Sequence, residues 1–133
     1  MADWTDVRRL ALALPDTEEH ESRGQAQWRV HDKIFVWERP LRSADLEALG
    51  DAAPQGPVLG ARVADEGVKQ ALCAEPSGVY FTTPHFEDQP AVLVRLDDIG
   101  EEELAELVED AWLCRAPVRL ARDYLTERLP RLH

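Results

Sequence analysis

The sequence is short of nearly everything that marks a secreted, membrane-spanning or metal-stapled protein. Its only cysteines are Cys73 and Cys114, and neither has a second thiol nearby. No disulfide framework and no zinc or redox cysteine pair is therefore expected, and both thiols read as reduced packing residues. The longest uninterrupted apolar run, Leu10 to Leu14, is far short of the ~20 residues that span a bilayer. No basic region followed by an apolar segment opens the chain, so the expected location is cytoplasmic, with no membrane partner. Bases are scarce too: 15 Lys and Arg stand against 26 Asp and Glu, a formal net charge of -11. That balance opposes uniform attraction to nucleic acid or to an anionic membrane, since both carry negative charge.

What is present fits one α+β domain. The 133 residues, 44% of them apolar, are too few for two ordinary domains, so residues 1–133 read as one. A chain of this size buries roughly two-thirds of its unfolded surface and needs no staple to form a core. Charge is unevenly spread. From Asp97 to Asp110 there are eight acids and no base, whereas Arg23 to Arg42 carries five bases against Asp32 and Glu38.

Val7, Leu10, Ala11 and Leu14 follow helical spacing, Asp3 is placed to cap that helix, and Pro15 stops it. The polar stretch Asp16 to Gly24 reads as a loop. Gln27–Val30 and Lys33–Trp37, separated by His31-Asp32, predict a hairpin in which Val30 faces Lys33, Trp28 faces Phe35 and Ala26 faces Trp37. That register puts the three pairs on one core side and Gln27, Arg29, Ile34, Val36 and Glu38 on the other. A short helical turn ends at Leu49, strands are expected over 58–64, 79–83 and 91–96, and a helix capped by Asp65 runs to Pro76. Leu104, Leu107, Val108 and Ala111 form the buried stripe of the clearest helix, with Ile99 as its staple. Pro117 opens a last helix with Val118, Ala121, Leu125 and Leu129 on one face. The order predicts a mainly antiparallel sheet with helices packed on one face.

Several segments resemble the MmcQ/YjbR family: Leu14-Pro15-Asp16-Thr17-Glu18-Glu19-His20, Trp28-Arg29-Val30 followed by Lys33-Ile34-Phe35, Thr83-Pro84-His85-Phe86, and Ala111-Trp112 leading to Ala116-Pro117. The likeness covers nearly the whole chain. It implies a frataxin-like (CyaY-like) double-wing fold and a DNA-binding role, and it supplies no catalytic residues.

Arg29, Arg62 and Arg95 each interrupt an apolar strand and should point away from the core, because an unpaired buried guanidinium is expensive. On one open sheet face they would offer planar donors suited to phosphate or carboxylate. Arg23, Arg39 and Arg42 flank the hairpin and with Lys33 would extend a basic wing into a DNA groove, with weak, salt-dependent affinity. Nucleic-acid or anion contacts are thus expected at Arg23, Arg29, Lys33, Arg62 and Arg95. The alternative is a small anionic-ligand or protein-binding module, with a pocket walled by His20, Trp28 or His85. Arg115, Arg119, Arg122 and Arg128 read as ordinary surface design. No His-Glu-x-x-His, no exposed nucleophile with a base and no Gly-rich phosphate loop is present, so no metal, cofactor or catalysis is expected.

Overall fold

A computed structural model describes residues 2–128. The chain opens with helix α1 (Trp4–Leu12), whose start is fixed by a reciprocal box. The Asp3 carboxylate accepts from the Asp6 N–H and the Asp6 carboxylate from the Asp3 N–H, each at 3.0 Å. Strands β1 (Thr17–Ser22), β2 (Gln25–Val30) and β3 (Lys33–Glu38) follow, then α2 (Ser43–Leu49), β4 (Val58–Arg62) and α3 (Glu66–Cys73). Strands β5 (Tyr80–Phe81) and β6 (Ala91–Arg95) precede α4 (Glu101–Arg115) and α5 (Val118–Arg128). The six strands form one sheet in the order β1-β2-β3-β4-β6-β5, antiparallel throughout. This is the α+β class expected from the element order.

The segment expected to be a loop is strand β1. Two-residue loops close both hairpins, Arg23-Gly24 between β1 and β2 and His31-Asp32 between β2 and β3, and all four residues have positive φ. Such loops match the twist of the strands they join. The apolar alternation that marks a half-buried strand is missing from β1 because it is an edge strand exposed along almost its whole length. Its charges also discourage pairing with another chain.

The β2–β3 register also departs from expectation. Val30 faces Lys33 as predicted, but an irregularity between Trp28 and Arg29 leaves Trp28 opposite Val36 and Gln27 opposite Trp37. Phe35 and Val36 both enter the main core, fully buried, as a bulge permits when two residues oppose one. Trp37 is thereby carried to the opposite face.

The main core lies between the sheet and the helices. Trp28, Phe35, Leu59, Val94, Leu104 and Trp112 are among its fully enclosed side chains, and Ile99 and Leu104 are both buried as a staple requires. The Trp112 indole N–H donates to the Pro15 carbonyl at 3.1 Å, tying α4 to the end of α1. Helix α5 uses a face one step from the expected one. Leu120, Ala121 and Tyr124 pack on the core, whereas Val118 and Leu125 are exposed; Leu129 lies outside the described residues. The Tyr124 hydroxyl donates to Glu109 at 2.6 Å and its ring meets Trp112 edge-on, which settles that choice of face.

The other sheet face is not fully open. Val58, Phe86, Ala91 and Leu93 make a second, smaller core there with Trp37, Leu41 and Phe81 against it. Phe86 arrives on the 3-10 turn Pro84–Phe86. Lys69 of α3, itself buried, donates to the carbonyls of Phe86, Glu87 and Gln89 and so clamps this turn.

Candidate functional site

The alternation of strands puts Arg29, Arg62 and Arg95 on the same side of the sheet, the side of Trp37 and Gly60, but not in one group. Arg62 pairs with Ala91 and Arg95 with Val58, at opposite ends of the β4–β6 ladder. Four residues of strand separate them, about 13 Å at the usual rise. Arg95 lies over the Phe81 ring and donates from Nε to the Gly78 carbonyl at 3.0 Å. Arg29 donates to the Gln27 side chain at 2.8 Å. Arg62 lies over the Trp37 ring, 5.5 Å from its centroid.

The hairpin bases are equally dispersed. Arg23 and Lys33 are exposed but sit at the two opposite ends of β2, and β1 lays Glu18 directly across from Arg29. Arg39 leaves the expected wing altogether. It is buried against Phe86, ion-paired to Asp45 at 3.0 Å and bonded to the Pro40 carbonyl, because the second core needs it as a wall.

Nor do His20, Trp28 and His85 share a pocket. Trp28 is enclosed in the main core, stacked on Trp4 and donating its indole N–H to Glu19 at 3.0 Å. His20 is exposed on the edge strand β1, with its Nε2 3.2 Å from a Glu18 carboxylate oxygen. His85 is exposed on the turn after β5, at the far edge of the same sheet, with its ring against Phe86. Each histidine is occupied locally.

A larger concavity lies elsewhere, between α3 and α4 beyond the end of β4. It is a cleft of about 730 Å³, within the size range of small-molecule sites. Val68 and Leu72 line it from α3, Leu107 and Leu113 from α4, and Arg62 and Arg115 both contribute to its wall, near enough for the Arg115 charge to act on Arg62. Neither arginine has an ion pair among the described residues. The Nε atoms of both are shut away from solvent without a hydrogen-bond partner, leaving the terminal nitrogens as the groups that can reach an occupant. Partial burial and then the neighbouring Arg115 charge lower the pKa of Arg62, two costs with no compensating anion. The guanidinium nevertheless stays charged at any ordinary pH. In a chain with 11 more acids than bases, two arginines on one cleft without an ion pair are donors of the kind that suit an anion.

The family model described as YjbR matches residues 12–114. The chain belongs to the YjbR family. The chain is also similar to the uncharacterized protein Rv2570 of Mycobacterium tuberculosis and to the uncharacterized protein Mb2600 of Mycobacterium bovis. Each is 51% identical over 128 residues, covering 94% of this chain and 97% of the relative. No solved structure matches the chain. The YjbR match spans β1 to α4 and so includes Arg62 and the helix walls of the cleft. Arg115 lies one residue beyond it.

Of the five expected anion contacts, only Arg62 lines the cleft of this YjbR protein. Arg115 was passed over as a dipole-complementing cation. A signal for it was nonetheless present: at i−4, i−3, i+3 and i+4 it has Ala111, Trp112, Val118 and Arg119, so no acid is placed to pair with it along the helix. Val68, Leu72 and Tyr80 gave no such signal, since only the packing of α3 beside α4 makes them a wall.

Proposed function

We propose that this YjbR protein is a non-catalytic binding module whose α3–α4 cleft takes a small ligand with an anionic head and an apolar body. One observation carries the reading: Arg62 and Arg115 line one cleft of about 730 Å³ with no acid paired to either among the described residues, in a chain rich in acids. Their terminal nitrogens suit a carboxylate or phosphate, and Val68, Leu72, Leu107 and Leu113 suit the remainder of the molecule. The residues of the cleft support binding without chemistry. None is a histidine, and the one thiol, Cys114, is pushed up by burial and by Asp110, away from the thiolate form a nucleophile needs.

The DNA-binding role implied by the family resemblance has Arg23 and Lys33 as its exposed contacts. Their placement at opposite ends of β2 beside an acidic strand gives no continuous ridge for phosphates. The two readings separate in one experiment. Decanoate and phenyl phosphate are titrated into the protein by calorimetry, and labelled duplex DNA is titrated by fluorescence anisotropy at low and physiological salt. Saturable binding of either small anion that drops about tenfold in both Arg62→Gln and Arg115→Gln is expected. Salt-sensitive DNA binding that survives both substitutions and falls with Arg23→Ala and Lys33→Ala, with no small-anion binding, would replace the cleft by a nucleic-acid surface.

A further inference from the structure

Along the α4 wall of the cleft, Arg115 stands in the last turn of the helix and Glu103 in the first. Glu75, Glu103 and Glu106 all line the cleft, and the Tyr80 hydroxyl donates to Glu103 at 2.5 Å. Burial pushes the Tyr80 phenol up, and the hydrogen bond to Glu103 together with the charges of Glu103, Glu75 and Glu106 push it further, so the three carboxylates share one neighbourhood. None of them has an ion pair among the described residues. The helix dipole accounts for only part of this. It favours Glu103 in the first turn of α4, but it opposes Glu75, which sits just past the C-terminal end of α3 where cations are favoured. Arg115 gains from the C-terminal end of α4; Arg62, on a strand, gains nothing comparable.

We propose that the cleft binds an elongated zwitterion, its anionic group on Arg62 and Arg115, its cationic group at Glu103 and Glu106, and an apolar span against Leu72 and Leu107 between them. This rests on the cleft reading above and adds the second charge and the length. Glu106 and Glu103 precede Arg115 by nine and twelve residues on α4, about 13 and 18 Å along the helix axis. An extended tetrapeptide with free ends spans about 13 Å. A long-chain ω-amino acid has a similar reach. Both carry the same chemistry: amine, apolar span, carboxylate.

The test is calorimetric titration of the full chain with ω-aminododecanoate, dodecanoate, ε-aminohexanoate and the tetrapeptide Ala-Leu-Val-Ala. Wild-type protein is compared with Glu103→Gln/Glu106→Gln and Arg62→Gln/Arg115→Gln. The three cleft glutamates are exposed, so the first pair of changes leaves the fold intact, which circular dichroism checks. The expected result is that ω-aminododecanoate or the tetrapeptide binds about fivefold tighter than dodecanoate, the gain from one solvent-exposed ion pair. That gain disappears in the glutamate variant while dodecanoate binding is unchanged, and the arginine variant weakens all. Preference for the tetrapeptide assigns the natural ligand to peptides, and preference for the amino acid assigns it to lipid-like chains; either supports the zwitterion. Dodecanoate binding as tightly as the zwitterions, or ε-aminohexanoate outbinding both long ones, overturns this inference and leaves the anion cleft standing. No binding of any probe removes the cleft reading itself.

Discussion

Replacing Lys69 by Met tests whether the second core is held from α3. The ammonium is buried and donates to three carbonyls, those of Phe86, Glu87 and Gln89, and it has no ion pair among the described residues. Hydrogen bonds to a charged donor contribute about 1.5–3 kcal/mol each. Two corrections reduce the sum. Methionine removes the cost of keeping an ammonium out of water, several kcal/mol in its own right. The Phe86 and Gln89 carbonyls also keep backbone donors, the N–H groups of Gln89 and Ala91, so only the Glu87 carbonyl loses its one bond, and Glu87 is at the surface. A net loss of about 2–4 kcal/mol is expected, against the fraction of a kcal/mol typical of an exposed change such as Lys33→Met. Urea unfolding followed by far-UV circular dichroism measures both. Hydrogen exchange adds location, because the Phe86 amide, bonded to the Thr83 carbonyl at 2.9 Å, should lose protection before the main core does. A loss under 1 kcal/mol for Lys69→Met, with Phe86 protection intact, would refute the clamp.

Two further substitutions probe the same face. Arg39→Met or Asp45→Leu alone should cost about 3–5 kcal/mol, because each strands a buried charge, whereas the double variant should cost much less than their sum; additive losses in denaturant titration would contradict the pairing. The Asp45 carboxyl also carries a pH signature: burial raises its pKa, but the Arg42 N–H and the Arg39 charge outweigh burial and hold it below the ordinary carboxylate value. Its contribution is therefore present above the unfolded carboxylate pKa and lost as pH falls through the folded one, a slope that Asp45→Asn should flatten in acid-unfolding curves. Gly60→Ala should destabilise by about 1–3 kcal/mol and shift Trp37 fluorescence, since an added Cβ would stand 2.2 Å from the Trp37 ring, itself packed beside Phe86 and Arg62.

The fold was legible wherever an element buries one face. Leu104, Leu107, Val108 and Ala111 repeat at helical spacing because α4 presents one side to the sheet, and the His31-Asp32 loop lay between two runs rich in β-branched and aromatic residues. Reading failed where burial no longer imposes a period. Strand β1 is exposed on both sides and carries Glu18, Glu19 and Glu21, so nothing in its pattern separates it from a loop; only the Arg23-Gly24 turn marks it as half of a hairpin. The bulge at Phe35 was hidden for the opposite reason. Phe35, Val36 and Trp37 are all hydrophobic, and with both faces of β3 covered, alternation cannot say which two share a side. Helix α5 offered two apolar faces one residue apart, and the contact of Tyr124 with Trp112 decided between them.

The site was less legible because an arginine in a strand has the same spelling whatever it serves. Arg29, Arg62 and Arg95 all sit among apolar neighbours, yet Arg29 is bonded to Gln27, Arg95 to the Gly78 carbonyl, and Arg62 alone borders a cleft with a second guanidinium beside it. Position along the ladder makes the difference. Arg62 ends β4 at the edge of the gap that α3 and α4 leave between them, whereas Arg95 ends β6 at the other end of the ladder, next to the chain leading into β5. The informative quantity is therefore not where the bases are but where they go unpaired. With 26 acids and 15 bases, Arg8, Arg9 and Arg39 each take a carboxylate, whereas Arg62 and Arg115 take none among the described residues. Two arginines that take none, on the wall of the α3–α4 cleft, carry a repulsion that no ion pair among the described residues offsets. An anion placed against them would offset that repulsion, and salt would screen the distant acids far more than the partly buried pair.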